Sequence, residues 1–125
     1  MDYIDSKKEN IEWWFKNGDY GQEYYGIKYW DTQEEIYKLF YPDWIISFKD
    51  GRMGIFDSKG GDTASPGKCK DKAQALSIKL KSLGKDYVGG IAIFENGVWY
   101  YNNFKNYNYS PGKLSKNWKK FEDLF

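Results

Sequence analysis

Histidine is absent from this chain, and cysteine occurs once, as Cys69. Without histidine, the Ser-His-Asp and Cys-His systems that activate a nucleophile cannot be assembled within it. A lone thiol closes no internal disulfide, and no second cysteine or histidine stands by to complete a zinc site. Long apolar runs are missing too: none approaches the roughly 20 residues a membrane helix needs, and no signal-peptide pattern opens the chain. The sequence therefore reads as a soluble, intracellular, cytoplasmic protein with no membrane partner. Nor does one sign of charge dominate, since 19 basic residues face 18 acidic ones for a net charge of +1. Free-standing nucleic-acid binders are usually more basic. A nucleic-acid partner would thus require cations clustered on one face, or affinity supplied by another domain. Carboxylates and lysines remain for chemistry, and they favour a hard, oxygen-ligated ion such as Mg²⁺.

What is present is apolar and aromatic. Of the 125 residues, 41% are hydrophobic and 21% aromatic, which suits one compact domain spanning residues 1–125 with one core and one site. Met1 to Ser6 read as the end of something that begins upstream. In Asn10 to Lys16, Ile11, Trp13 and Phe15 alternate as in a strand, while Ile11 and Trp14 also fit a helical spacing. A turn is expected at Asn17-Gly18-Asp19, followed by a Tyr-rich strand over Glu23 to Trp30. Ile36 to Phe48 reads as an extended stretch in which Pro42 marks a strand start, bulge or edge. Asp50-Gly51 turns it back into a strand over Arg52 to Lys59. Gly60-Gly61 ends that strand, and Asp62 to Gly67 form a small-residue loop.

The pattern then changes period. Lys68 to Leu83 predicts a helix with Ala73, Leu76, Leu80 and Leu83 on one face, closed by Gly84. Val88 to Phe94 and Val98 to Asn102 predict a hairpin about Asn96-Gly97. After a Tyr/Asn-rich loop, Ser115 is expected to cap a short closing helix containing Trp118, Phe121 and Leu124. No internal repeat is found. This order gives an α/β or α+β domain with one mixed sheet and a helix crossover.

One constellation carries chemistry. Pairing across the Asp50-Gly51 turn sets position 43 opposite roughly position 58, so Asp43 and Asp57 fall at the same end of the sheet. Asp57 and Lys59 are two residues apart in one strand and share a face. Two carboxylates and the backbone carbonyl of Ser58 can hold a divalent ion with positions left for water and a phosphate oxygen. Lys59 can orient that water or stabilise charge developing on phosphorus-bound oxygens.

Pro42-Asp43 followed by Asp57-Ser58-Lys59 resembles the PD-(D/E)xK nuclease signature. The contexts Trp13-Trp14-Phe15-Lys16-Asn17, Leu39-Phe40-Tyr41-Pro42-Asp43, Lys49-Asp50-Gly51-Arg52 and Asp57-Ser58-Lys59-Gly60 narrow it. They resemble the C-terminal nuclease region of type III restriction enzyme (Res) subunits and related helicase-nucleases. The similarity covers Asn10 to Leu83, with a weaker echo from Trp118 to Phe125.

The resemblance implies a restriction-endonuclease-like mixed sheet flanked by helices that cuts DNA with Mg²⁺, or Mn²⁺ in its place. Asp43 and Asp57 would ligate the metal, and Lys59 would be the catalytic lysine. The chain would be a fragment of a larger protein, joined to a helicase or translocase domain. Many such nucleases cut as pairs, so dimerisation is open, although no interface is readable here. Two departures stand out. Asp57 replaces the glutamate often found at its position. An acidic residue on a helix before the first strand has no counterpart unless Asn10 to Lys16 is helical, in which case Glu12 qualifies.

Plainer readings stand beside these. Asp43 after a proline is also an ordinary turn residue, and Lys59 an ordinary ionic partner for Asp57. Asp57 itself is harder to dismiss, because it follows Gly54-Ile55-Phe56 in an apolar strand where an unpaired carboxylate is costly. Lys72 and Gln74 lie where the resemblance places a helper group near the phosphate, but a solvated helix face accounts for each more simply. Lys68 and Lys70 read as loop charges able to touch a DNA backbone. Gly60 and Gly61 lack the spacing of a phosphate-binding loop. Two rival functions follow: a catalytically silent binding module of the same fold, and an aromatic-rich carbohydrate-binding domain. The latter is disfavoured because most aromatics alternate within strands.

Overall fold

The computed structural model describes residues 8–16, 26–59, 66–103, 107, 109, 114 and 117–124. Strands β1 (Ile11–Lys16), β4 (Trp44–Phe48), β5 (Met53–Ser58), β6 (Tyr87–Glu95), β7 (Val98–Asn102) and β8 (Lys119–Lys120) form a six-stranded sheet in the order β1-β4-β5-β6-β7-β8. β5 and β6 run parallel and the other neighbouring pairs antiparallel, so the sheet is mixed. β2 (Ile27–Asp31) and β3 (Ile36–Phe40) form a separate two-stranded ribbon. Helix α1 (Pro66–Leu83) connects the parallel pair β5 and β6, as a parallel connection requires.

Local chemistry accounts for most of these bounds. Pro66, with its fixed φ and missing N–H, opens α1 where that N–H would be unpaired in any case. Cys69, Ala73, Leu76 and Leu80 are buried at helical spacing along one stripe. Fully burying a leucine such as Leu76 or Leu80 is worth about 1.5 to 3 kcal/mol. In the central strand β6, Gly89 and Gly90 have φ of 150° and 131°, and a Cβ on Gly89 would lie 1.9 Å from the Ile55 carbonyl oxygen. No side chain fits that gap between paired backbones.

The sheet buries both faces. Ile46, Phe48, Phe56 and Ala92 pack on one side with Phe121 and Leu124 of a closing 3₁₀ turn (Phe121–Leu124). On the other, Ile45 and Ile55 meet Leu76 and Leu80 of α1 and Ile27, Tyr29 and Phe40 of the ribbon. Cys69, Ala73, Ile91, Ile93, Tyr107 and Trp118 extend that side. β5 is therefore apolar on alternate residues in both directions until it reaches Asp57.

Two expectations change, and one open choice is decided. Ile36 to Phe48 is not one stretch: it breaks at Tyr41-Pro42-Asp43 into β3 and β4, which belong to different sheets. Proline cannot donate to a ladder, and Pro42 is buried at the crossing. Of the two readings of Asn10 to Lys16, the strand is the one found, over Ile11–Lys16, so Glu12 is an exposed strand residue. The closing segment is a short strand and a 3₁₀ turn, not an α-helix. Its apolar residues recur every three positions, matching the tighter helix's 3.0 residues per turn. Trp118 packs on the α1 side and Phe121 on the opposite side, so β8 crosses the sheet edge between them.

The α1 helix, the β4–β5 hairpin and the β6–β7 hairpin stand as read from the sequence. The turn at 17–19, the beginning of the Tyr-rich strand at 23–25, the glycines 60–61, most of the loop before α1 and the cap at Ser115 lie outside the described residues. No helix among the described residues is long and apolar enough to cross a membrane.

Candidate functional site

The β4–β5 register brings the two aspartates together. Trp44 pairs with Phe56 as the last step of the ladder, so Asp43 enters β4 beside the point where Asp57 and Ser58 leave β5. Asp43 Oδ2 accepts hydrogen bonds from Ser58 N at 3.1 Å and Ser58 Oγ at 2.7 Å. The carboxylate thus replaces the backbone acceptor that β4 no longer supplies. Phe48 N donates to Arg52 O, so even-numbered residues of β5 direct their backbone groups toward β4. On the other flank Lys59 N donates to Ala92 O at 2.9 Å. The same parity aims the Ser58 carbonyl toward the side from which Asp43 reaches in.

Alternation sends Asp57 to the α1 face with Ile55, and only 2% of its surface is exposed. Lys59 Nζ lies 3.0 Å from Asp57 Oδ2. That oxygen is buried, and Lys59 is its one polar partner among the described residues. Burial pushes the Asp57 carboxyl above its ordinary range; Asp43 adds to the rise, while Lys59 and Lys72 oppose it. Burial alone would lower the Lys59 ammonium, but Asp57 outweighs it and, with Asp43, holds the group charged. The site is thus a desolvated carboxylate, a second carboxylate within electrostatic reach, and a cation fixed between strand end and helix.

The other predicted residues divide. Lys72 stands near enough on α1 to act electrostatically on Asp57 and on Cys69. Gln74 does not join it, and instead lines a groove beneath the β2–β3 ribbon. Lys70 is exposed on α1. Lys68 lies in the first turn of α1, not in a loop, and its side chain is outside those described. Glu12 is remote: Lys16, not Glu12, pairs with Trp44 beside Asp43. Four strand residues separate Glu12 from that end, about 13 Å at the usual rise. Among the described residues, no three Asp, Glu, Cys or His side chains gather as a metal cluster.

Sequence reasoning missed Cys69 and Ser58 Oγ as neighbours of this site. Cys69 is buried beside Tyr107, its thiol raised by burial and touched by the charges of Lys59 and Asp57. Its place on the apolar stripe of α1 was the available signal. The divalent ion that the motif implies is consistent with the donors present. Asp57 Oδ2 is a buried carboxylate oxygen with Lys59 as its one polar partner among the described residues, and the Asp43 carboxylate and Ser58 carbonyl are hard oxygens from the same strand ends. Comparison with known protein families, curated proteins and solved structures finds no match to this chain.

Proposed function

We propose that this chain is a metal-dependent endodeoxyribonuclease domain of the PD-(D/E)xK kind, with a restriction-endonuclease-like sheet, acting beside a helicase or translocase domain of a larger restriction or helicase-nuclease protein. The observation that carries the reading is Asp57: a carboxylate 2% exposed, its pKa raised by burial, and its Oδ2 held among the described residues by Lys59 alone. A purely structural ion pair gains little from that arrangement, since desolvation outweighs what Lys59 returns. Carboxylates raised by desolvation beside a specific charge partner concentrate at functional sites.

Asp43, Asp57 and the Ser58 carbonyl would hold Mg²⁺ or Mn²⁺. When bound, such an ion supplies charge stabilisation at a phosphoryl oxygen and a more acidic water. Ser58 fixes Asp43 through two hydrogen bonds, so its carboxylate is preorganised rather than assembled on binding. Lys59, kept protonated by Asp57, presents a donor to a scissile phosphate oxygen or to the attacking water. Lys72 adds positive potential from the helix flank. A carbohydrate-binding reading loses ground, because the Asp–Lys cluster is assembled and the exposed Trp30 and Tyr37 rings meet at 72°, not as a flat platform.

The deciding experiment is Mg²⁺ and Mn²⁺ calorimetry with plasmid nicking, on this chain and on Asp57→Ala. Metal binding with nicking is expected, and the variant should lose nicking by about a hundredfold or more. Metal binding without nicking would favour the silent binding module, a reading motivated by the two-carboxylate donor set, which lacks the additional acid such nucleases often carry. Absence of metal binding at millimolar concentration would overturn the proposal.

A further inference from the structure

The carboxylate cluster is not the broadest concavity of the molecule. A groove of about 880 Å³ lies where the outer face of the β2–β3 ribbon meets the flank of α1. On the ribbon side, Trp30 is 46% exposed and Tyr37 63% exposed. Their rings lie 4.9 Å apart, and Lys28 Nζ sits 4.4 Å from the Tyr37 centroid. On the helix side stand Gln74, Ile78 and Lys79. Single exposed aromatics are ordinary, whereas rings clustered with lysines in a concavity are a binding surface.

Charge narrows the occupant. Among the described residues that line it, Asp71 is the one acid, and its Oδ2 is taken by Thr32 N at 2.8 Å and Thr32 Oγ1 at 2.9 Å; Asp31 and Glu34, whose charges reach Tyr29 of the wall, are paired with Lys38. What the wall offers is two exposed rings set edge to face and two ammonium groups against one carboxylate, which suit a polyanion whose flat apolar rings meet each side chain singly. Location narrows it further. The helical wall runs from Asp71 to Ser82, a length of about 16 Å at 1.5 Å per residue. Its Asp71 end adjoins Lys72, whose charge reaches Asp57.

We propose that this groove binds unpaired bases of a single DNA strand, with bases against Trp30 and Tyr37 and phosphates against Lys28 and Lys79. The strand then runs along α1 toward the carboxylates. Only its part in catalysis rests on the nuclease reading. Paired bases keep their faces stacked on one another, so a duplex cannot use these rings. A single strand can, whatever its sequence.

The test measures anisotropy of fluorescein-labelled single-stranded oligothymidine in EDTA, against a duplex of the same length. Single strand should bind in preference to duplex. Tyr37→Ala should weaken single-strand binding by about tenfold, the loss of one base stack, with Trp30→Ala as an independent second variant. Both side chains are exposed enough to be removed without loss of folding, and unchanged Mg²⁺ binding by Tyr37→Ala would locate its defect in the groove. Equal or tighter duplex binding, or unchanged affinity in both variants, would overturn the proposal. So would self-association that Tyr37→Ala abolishes while oligothymidine affinity stays the same, which would assign the groove to a second copy. Failure of metal binding and nicking refutes the nuclease reading and leaves this result standing.

Discussion

Two carboxylate–lysine pairs in this molecule have the same length and opposite character. Lys59 Nζ lies 3.0 Å from Asp57 Oδ2, and Lys38 Nζ lies 3.0 Å from Asp31 Oδ2. Asp31 Oδ1 also accepts hydrogen bonds from Gln33 N and Glu34 N, each at 2.9 Å, closing the ribbon's turn. The Glu34 N–H, then Lys38 and the Gln33 N–H, hold its carboxyl below the ordinary range. Asp57 Oδ2 has its lysine and no second donor among the described residues, and burial carries the carboxyl the other way. Distance between charges therefore says little about what a pair does. The donors around the carboxylate and the access of water decide whether its charge is welcome. Asp31 takes backbone and side-chain donors together, whereas among the described residues Asp57 Oδ2 has Lys59 alone.

Removing the lysines should separate the two most widely. Lys59→Met leaves a carboxylate with 3% side-chain exposure beside Asp43 without its cation. About 3 kcal/mol of stability should be lost at neutral pH, readable as a lower denaturant midpoint. Lys38→Met leaves Asp31 its two backbone donors and solvent, and its midpoint should barely move. Equal losses in the two variants would mean that burial does not distinguish the pairs.

A smaller contrast comes from the hydroxyls. Ser58 and Thr32 each bind one carboxylate oxygen through both backbone N–H and hydroxyl, on Asp43 and Asp71 respectively. Ser58→Ala should cost about 1 kcal/mol in thermal unfolding, because its bond is partly buried. Thr32→Ala, at an exposed contact, should cost about 0.5 kcal/mol or less. If Asp43 is a metal ligand, Ser58→Ala should also weaken Mg²⁺ binding, while Thr32→Ala leaves it unchanged. A weakening in Thr32→Ala alone would refute the assignment of Asp43.

The sequence made one of these regions legible and hid the other. Asp57 stood out because an acid interrupts the apolar Gly54-Ile55-Phe56 run, and the Asp50-Gly51 turn fixes which end of β4 meets it. Strand alternation and hairpin register are local rules, so Asp43, Asp57 and Lys59 could be brought together on paper. The ribbon obeys longer-range physics. Nothing in the period of Ile36 to Phe48 says that its halves join different sheets, and the Thr32–Asp71 tie spans 39 residues. In the sequence, Gln74 stays open between a solvated helix face and a helper near the phosphate for the same reason. Helical spacing gives a residue's face, but the ribbon's position decides what that face meets.

The finest contrast is in sign, and it comes from one substitution made twice. Asp57→Asn and Asp31→Asn each keep the side chain's shape and remove its charge. Asp57 has a raised folded pKa, so its folded form binds a proton that the unfolded chain has already released. Its contribution to stability then falls as pH rises from the ordinary carboxylate range through the raised value, and stays lost at neutral pH. Asp31 has a lowered folded pKa, so its contribution is present above the ordinary range and is lost as pH falls through the lowered value. Thermal unfolding without metal, scanned across the carboxylate range, should thus show Asp57→Asn more stable than the parent at neutral pH and Asp31→Asn less so. Lys59, with 21% of its side chain exposed, can carry its ammonium to water once Asp57 is neutral, which keeps the first substitution from stranding a charge. Added Mg²⁺ should reverse the first comparison, stabilising the parent and not Asp57→Asn. A parent that is more stable than Asp57→Asn before metal is added would show that Lys59 alone satisfies the carboxylate, and would remove the physical reason for placing an ion there.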